Sequence, residues 1–287
     1  MNIQISGTNK SSDTRKAEQF FKERGIRFQV LAIQKKSFPT PEQNMDEVRR
    51  MLDGYTGDKP DFILFPEIFT CPYDNSCFPA FAQKDGGDVF CFLQELARKN
   101  QCYLIGGSVP EADESGKLYN TSYVFDRSGH LIGKHRKAHL FDIDVPGGQY
   151  FRESDVLSKG EGATVFDTEY GKMGVCICFD IRFPEMFLKM REEGVRMVFV
   201  PGAFNMTTGP AHWEILFRSR ALDQQIFMLG CSPARDSKAS YVAYGHSILT
   251  DPWGRILSEL GEEEGLLSTT VDLSLVDAVR QQIPLRV

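Results

Sequence analysis

No run of apolar residues in this sequence approaches the length of a membrane span, and no segment carries a clustered basic stripe. Acidic residues outnumber basic ones, 39 to 33, giving a net charge of -6 and an isoelectric point near 5.5. Neither membrane nor nucleic acid is therefore an expected partner. Metal-ligand spacing is missing as well: there is no Cys-x-x-Cys pair and no His-Glu-x-x-His. Cys71 and Cys77 flank Pro-Tyr-Asp-Asn-Ser, which is weak support for zinc, so neither a metal nor another cofactor is expected. The seven cysteines are odd in number and scattered, and no signal peptide is recognisable. That pattern points to free thiols in a reducing compartment, cytoplasmic or mitochondrial. Internal repeats and low-complexity tracts are absent.

What the chain does contain is an ordinary globular composition, 41% hydrophobic and 25% charged over 287 residues, enough to bury a large core. Arg27 to Gln34 alternates as a strand, and Asp61 to Phe65 and Cys102 to Gly106 are short apolar strands. Pro41 to Leu52 and Asp88 to Asn100 have helical spacing. Tyr119 to Asp126 and His130 to Lys134 read as a hairpin about Arg127-Ser128-Gly129. A long polar stretch runs from His135 to Gly162. Beyond it, helices are expected over Glu185 to Glu193 and Pro210 to Gln225, with strands near 196–200, 226–231, 245–250, 255–259 and 266–271. This alternation predicts an α/β fold in one domain, residues 27–287. Residues 1–26 read as an N-terminal extension in which Ser11 to Gly25 is a candidate helix. Its acidic residues Asp13, Glu18 and Glu23 count against a transit peptide.

The chain is organised around Gly171 to Glu185, where the apolar run Met173 to Phe179 reads as a buried strand and Phe183-Pro184-Glu185 as a helix start. Cys178 falls at the junction, the strand's carboxyl end, where α/β folds bind ligands. Turn N–H groups and a helix amino end nearby would favour its thiolate. On strand position alone, though, a cysteine is more often a small buried hydrophobe, and Cys176 stays structural by default. Two other reactive side chains share the placement just past an apolar segment. Glu67 follows DFILFP and is a candidate general base, although an isolated loop acid is usually solvated. Lys137 lies in the basic run Lys134 to His139, ordinarily a solvated face, but Leu140-Phe141 follows at once and turns part of the run inward.

Taken together, Leu64-Phe65-Pro66-Glu67, then His135-Arg136-Lys137-Ala138-His139-Leu140-Phe141-Asp142, then Gly174 to Glu185 resemble the three ordered motifs of the nitrilase (carbon–nitrogen hydrolase) superfamily. The similarity extends from about Arg27 to Pro284. Within that superfamily, Phe141-Asp142-Ile143-Asp144-Val145-Pro146-Gly147, Pro201 to Glu214, Ser232 to Asp236 and Arg280 to Pro284 look like the Nit2-like ω-amidase branch. Phe179 stands where a tyrosine is common and Met206 where a leucine is common; neither departure should touch the chemistry.

The resemblance implies a four-layer α-β-β-α sandwich, no cofactor, and a homodimer or higher homo-oligomer. It implies hydrolysis of the terminal amide of α-ketoglutaramate or α-ketosuccinamate, with other aliphatic amides, nitriles and N-carbamoyl compounds as the alternative small-molecule substrates. Cys178 would be the nucleophile and Glu67 the proton carrier. Lys137 and the Phe179 backbone N–H would hold the oxyanion, and Glu153 would orient Lys137 and the hydrolytic water. For the substrate's distal carboxylate Arg182 is the candidate, with a salt bridge to Glu185 as its ordinary alternative. Tyr73 and Thr207 would add hydroxyl donors and Phe204 a wall. His135, His139, His212 and His246 are expected to pack and hydrogen-bond rather than react, as are Trp213 and Arg220.

Overall fold

In the computed structural model, which describes residues 27–285, the apolar runs form two sheets. The first half contributes β1 (Arg27–Gln34), β2 (Phe62–Leu64), β3 (Tyr103–Ile105), β4 (Val109–Ala112), β5 (Leu118–Phe125) and β6 (Leu131–Arg136). Helices α1 (Pro41–Asp53), α2 (Cys77–Phe81) and α3 (Asp88–Asn100) lie between its early strands. A small hairpin, β7 (Asp142–Asp144) with β8 (Tyr150–Arg152), occupies the polar stretch. The second half runs β9 (Thr164–Thr168), β10 (Gly171–Val175), α4 (Pro184–Glu192), β11 (Met197–Pro201), α5 (Gly209–Gln224), β12 (Phe227–Cys231), β13 (Ile248–Thr250) and β14 (Ile256–Glu259). It closes with β15 (Gly265–Asp272) and α6 (Ser274–Gln282).

One sheet has the order β15-β1-β2-β3-β5-β4, with β6 on β5; the other is β14-β13-β12-β11-β10-β9. Each is built on three parallel strands, β1-β2-β3 and β10-β11-β12. The period-two alternation of a strand decides which side chains go where. Val30 and Ala32 of β1 face the other sheet, in a core with Phe62, Phe199 and Leu229 where the rings of Phe62 and Phe199 stack at 5.2 Å. Leu31 and Ile33 face outward against Met45, Val48 and Leu93 of the first helical layer. On the far side Val198, Val200 and Met228 pack against Phe187, Met190, Trp213 and Phe217 of α4 and α5. The layers are thus α-β-β-α, as expected. Burying side chains of this size stabilises by about 1.5–3 kcal/mol each before entropy is counted.

Local chemistry sets the helix ends. Thr40 caps α1 and Pro41 opens it, while α3 stops at Gln101 in the left-handed region (φ +52°). Several details differ from the sequence reading. The organising strand ends at Val175 rather than Phe179, because the chain turns sharply at Cys178 into a 3₁₀ segment, Cys178–Arg182. Helices α2 and α6, strands β4 and β9 and the β7–β8 hairpin were not foreseen; all are short. The candidate helix over 11–25 lies outside the described residues.

Candidate active site

Four strand ends meet at one place. Glu67 follows β2 across Pro66, Lys137 follows β6, Cys178 follows β10 and Ala203 follows β11. The first two belong to one sheet and the last two to the other. All four are buried. Backbone strain marks the two turns that aim the reactive groups. Cys178 itself has φ +46°, and Ile68, directly after Glu67, has φ +48°. A non-glycine residue holds that conformation only where its surroundings enforce it.

The Lys137 ammonium lies 2.8 Å from the Glu67 carboxylate and 3.0 Å from that of Glu153. Glu67 is held from every side: its Oε1 also accepts from Asn120 Nδ2 (2.9 Å) and the Tyr73 hydroxyl (3.3 Å), and its Oε2 from the Ala203 N–H (2.7 Å). Glu153 accepts from the Tyr73 hydroxyl at 2.5 Å and from the Phe141 N–H at 2.7 Å. Burial alone would push the lysine toward its neutral form; the charges of Glu153 and Glu67 outweigh it, and the net shift is upward. Lys137 is a fixed cation. Burial also pushes the Tyr73 phenol well up, and the two carboxylates add to it, so it stays a donor.

The thiol behaves differently from the sequence expectation of a thiolate. Burial raises the Cys178 pKa well above the ordinary range, the facing Glu67 charge raises it further, and Lys137 only partly opposes them. Cys178 is therefore held as a protonated thiol facing Glu67. The Phe179 N–H, one residue on, has no acceptor among the described residues.

A cavity of about 450 Å³ opens onto Glu67, Tyr73, Ala203 and Tyr241, and is lined also by Lys36 and Phe38. Of the predicted pocket residues only Tyr73 borders it, and its hydroxyl is committed to Glu153. Arg182 lies beside Cys178, its guanidinium stacked near the rings of Phe179 (5.3 Å) and Phe204 (5.0 Å). It makes no ion pair with Glu185 or any other acid among the described residues, and its Nε is buried without a partner. Thr207 packs its methyl toward Gly148. His212 is exposed on α5, not packed inside; the Arg182 guanidinium faces its Nδ1 at 3.3 Å. Trp213 and Arg220 are buried and bond backbone carbonyls of His246 and Ile181. His246 pairs with Glu259 away from the site.

Sequence reasoning missed Asn120, Tyr241 and the Ala203 N–H. Asn120, Thr121 and Ser122 are fully buried polar residues in the middle of β5, and such a run inside a strand is itself a signal; Asn120 bonds Glu67 and Thr121 bonds Glu111. Tyr241 stacks on Tyr73 at 4.5 Å and bonds the Ala203 carbonyl, but sits in a loop without pattern. No group of three or more His, Cys, Asp or Glu among the described residues is placed to hold a metal.

A sandwich of two sheets with a cysteine, a lysine and two glutamates converging at its strand ends defines a class, and the comparisons agree. Residues 30–281 match the model of the carbon–nitrogen hydrolase family, and the chain belongs to that family. It falls within the Nit2-like branch of the nitrilase superfamily: it is 46% identical to the omega-amidase NIT2 of Xenopus tropicalis over 91% of this chain and 94% of that protein. Identity to the omega-amidase NIT2 of Mus musculus is 45%, over 90% of this chain and 93% of that one. Among solved structures, Saccharomyces cerevisiae Nit3 superposes with a TM-score of 0.82 at 38% identity, covering 91% of this chain and 96% of that one. An amidase from Nesterenkonia sp. AN1 in complex with butyramide shares the fold, with a TM-score of 0.72 at 23% identity over 91% and 97% of the two chains.

Proposed function

We propose that this chain is an ω-amidase, hydrolysing the terminal amide of a short α-keto dicarboxylic acid monoamide, α-ketoglutaramate or α-ketosuccinamate, to the diacid and ammonia. The observation that carries the chemistry is the buried ammonium of Lys137 clamped between Glu67 and Glu153 beside a protonated thiol. Cys178 Sγ attacks the amide carbon as its proton passes to Glu67. The tetrahedral oxyanion takes hydrogen bonds from the Lys137 ammonium and the Phe179 N–H, donors fixed before the reaction begins. Collapse breaks the C–N bond while Glu67 returns the proton to nitrogen, and ammonia leaves a thioester. Water, deprotonated by Glu67 and oriented with Glu153, then attacks the same carbon; the sulfur departs and recovers a proton. Such sharing of one carboxylate between acid and base duty is ordinary general catalysis.

Arg182 supports the choice of substrate: a guanidinium without an acid partner near the nucleophile fits a distal carboxylate. Phe204 packs against that guanidinium. The free thiols support a reducing compartment, the cytoplasm or mitochondrion, and among the described residues no helix is long and apolar enough to cross a membrane. Ile215 and Leu222 of α5 and the adjacent Trp253 are exposed next to the Glu214–Arg218 ion pair. An apolar patch carrying both charges is of the kind that can meet its own copy about a two-fold axis, which supports a homodimer. Sedimentation should find a dimer that Trp253→Asp weakens.

The decisive experiment offers the purified protein α-ketoglutaramate, a simple aliphatic amide, a nitrile and an N-carbamoyl amino acid, and follows ammonia. Preference for the keto acid amide, with an acyl adduct on Cys178 by mass spectrometry, is expected; equal or better turnover of the others refutes the substrate assignment.

A further inference from the structure

The reacting groups come from two different sheets, and what lies between those sheets is almost entirely apolar. Apolar contact is non-directional and by itself tolerates sliding. A site of this kind needs its groups held to within about 0.5 Å. One directional bond at the site, from the Ala203 N–H to Glu67, already crosses between the sheets, but it does not reach the turn that carries Cys178; that turn needs its own tie to Lys137.

Asp180 is placed to do this. It is fully buried two residues past the nucleophile. Its Oδ2 accepts from the Ile177 N–H (3.0 Å), the residue before Cys178, and from His135 Nε2 (2.9 Å). Its Oδ1 accepts from both the backbone N–H (2.9 Å) and ring Nδ1 (2.8 Å) of His139. His135 and His139 stand two residues before and two after Lys137. One carboxylate therefore grips both sides of the lysine and both sides of the nucleophile's turn. The rings are fixed in their turn: His135 Nδ1 meets Thr164 Oγ1 at 3.0 Å on β9, and His139 stacks on Phe183 at 3.5 Å.

We propose that Asp180, with His135 and His139, is the positioning clasp that sets the Lys137 ammonium against the Cys178 sulfur across the seam between the two sheets. None of the three touches the reacting atoms. Although burial alone would favour the neutral acid, the two histidines hold the Asp180 carboxyl well below the usual carboxylate range, so its bonds are charge-assisted and short. The inference rests on the proposed roles of Lys137 and Cys178.

The test is a cycle on the full chain with α-ketoglutaramate: Asp180→Asn, His139→Phe (which keeps the stack on Phe183) and the double variant. A displacement of about 1 Å at a reacting group costs roughly 10²-fold, so Asp180→Asn should lose about that in kcat with KM within twofold. The double variant should lose no more than Asp180→Asn alone, because both act through one link. His139, on the clasp's outer side, gives a variant that folds if Asp180→Asn does not, and should lose kcat at unchanged KM. Multiplicative losses, or a loss in KM alone, or wild-type turnover in either single variant, overturn the clasp. Cys178→Ala is the control: if it keeps turnover, the amidase reading fails instead.

Discussion

Replacing Lys137 with methionine separates the two jobs of its ammonium, catalysis and neutralisation. In the native protein the charge sits 2.8 Å from one carboxylate and 3.0 Å from the other, all three buried. Methionine fills similar space but leaves two buried carboxylates facing each other without their cation. Removing one partner from a buried ionic group typically costs about 3–5 kcal/mol. At roughly 2–4 °C per kcal/mol for a chain of about this size, melting should fall by on the order of 10 °C at pH 8. Turnover falls as well, since an oxyanion donor is gone and its loss costs roughly 10²–10³. Calorimetry of both proteins at pH 8, alongside ammonia release, checks each part. An unchanged melting temperature refutes the picture of one buried cation offsetting two carboxylates.

Glu67→Gln removes a charge that raises the Cys178 pKa, so alkylation by iodoacetamide at pH 8 should quicken while amide turnover drops by at least about 10²; slower alkylation would count against the assigned electrostatics. Arg182→Met should raise KM for a keto acid amide by about 10–10², the worth of a charged hydrogen bond, and leave a neutral aliphatic amide unaffected, as paired kinetics will show. Tyr73→Phe deletes the donor 2.5 Å from Glu153 and should lower kcat by about tenfold with a loss of about 1–3 kcal/mol in denaturant unfolding.

Glu67, Lys137 and Cys178 were legible because each lies in a short contiguous motif at a strand end, and the alternation of β1 and spacing of α3 gave the layers. The end of the organising strand was not, because hydrophobicity and extended backbone continue through Ile177 into the outer core although the strand itself stops at Val175. The charge state of the thiol was hidden for another reason. Local features, a turn and a helix start, argued for a thiolate, but burial and Glu67, brought from 111 positions earlier in the chain, decide it. Asp180 lies inside the third motif and His135 and His139 inside the second, but nothing in the sequence pairs them; their contact exists only once β6 lies beside the second sheet.

That the ammonium hangs from one sheet and the sulfur from the other bears on how activity arises during folding. A chain with only one layer formed owns either an acid–base pair with nothing to activate or a thiol with no acceptor for its proton. Competence appears in a single event, when the halves dock. An immature or partly melted molecule is chemically silent, so ammonia production should follow recovery of the complete sandwich, never a fragment of it.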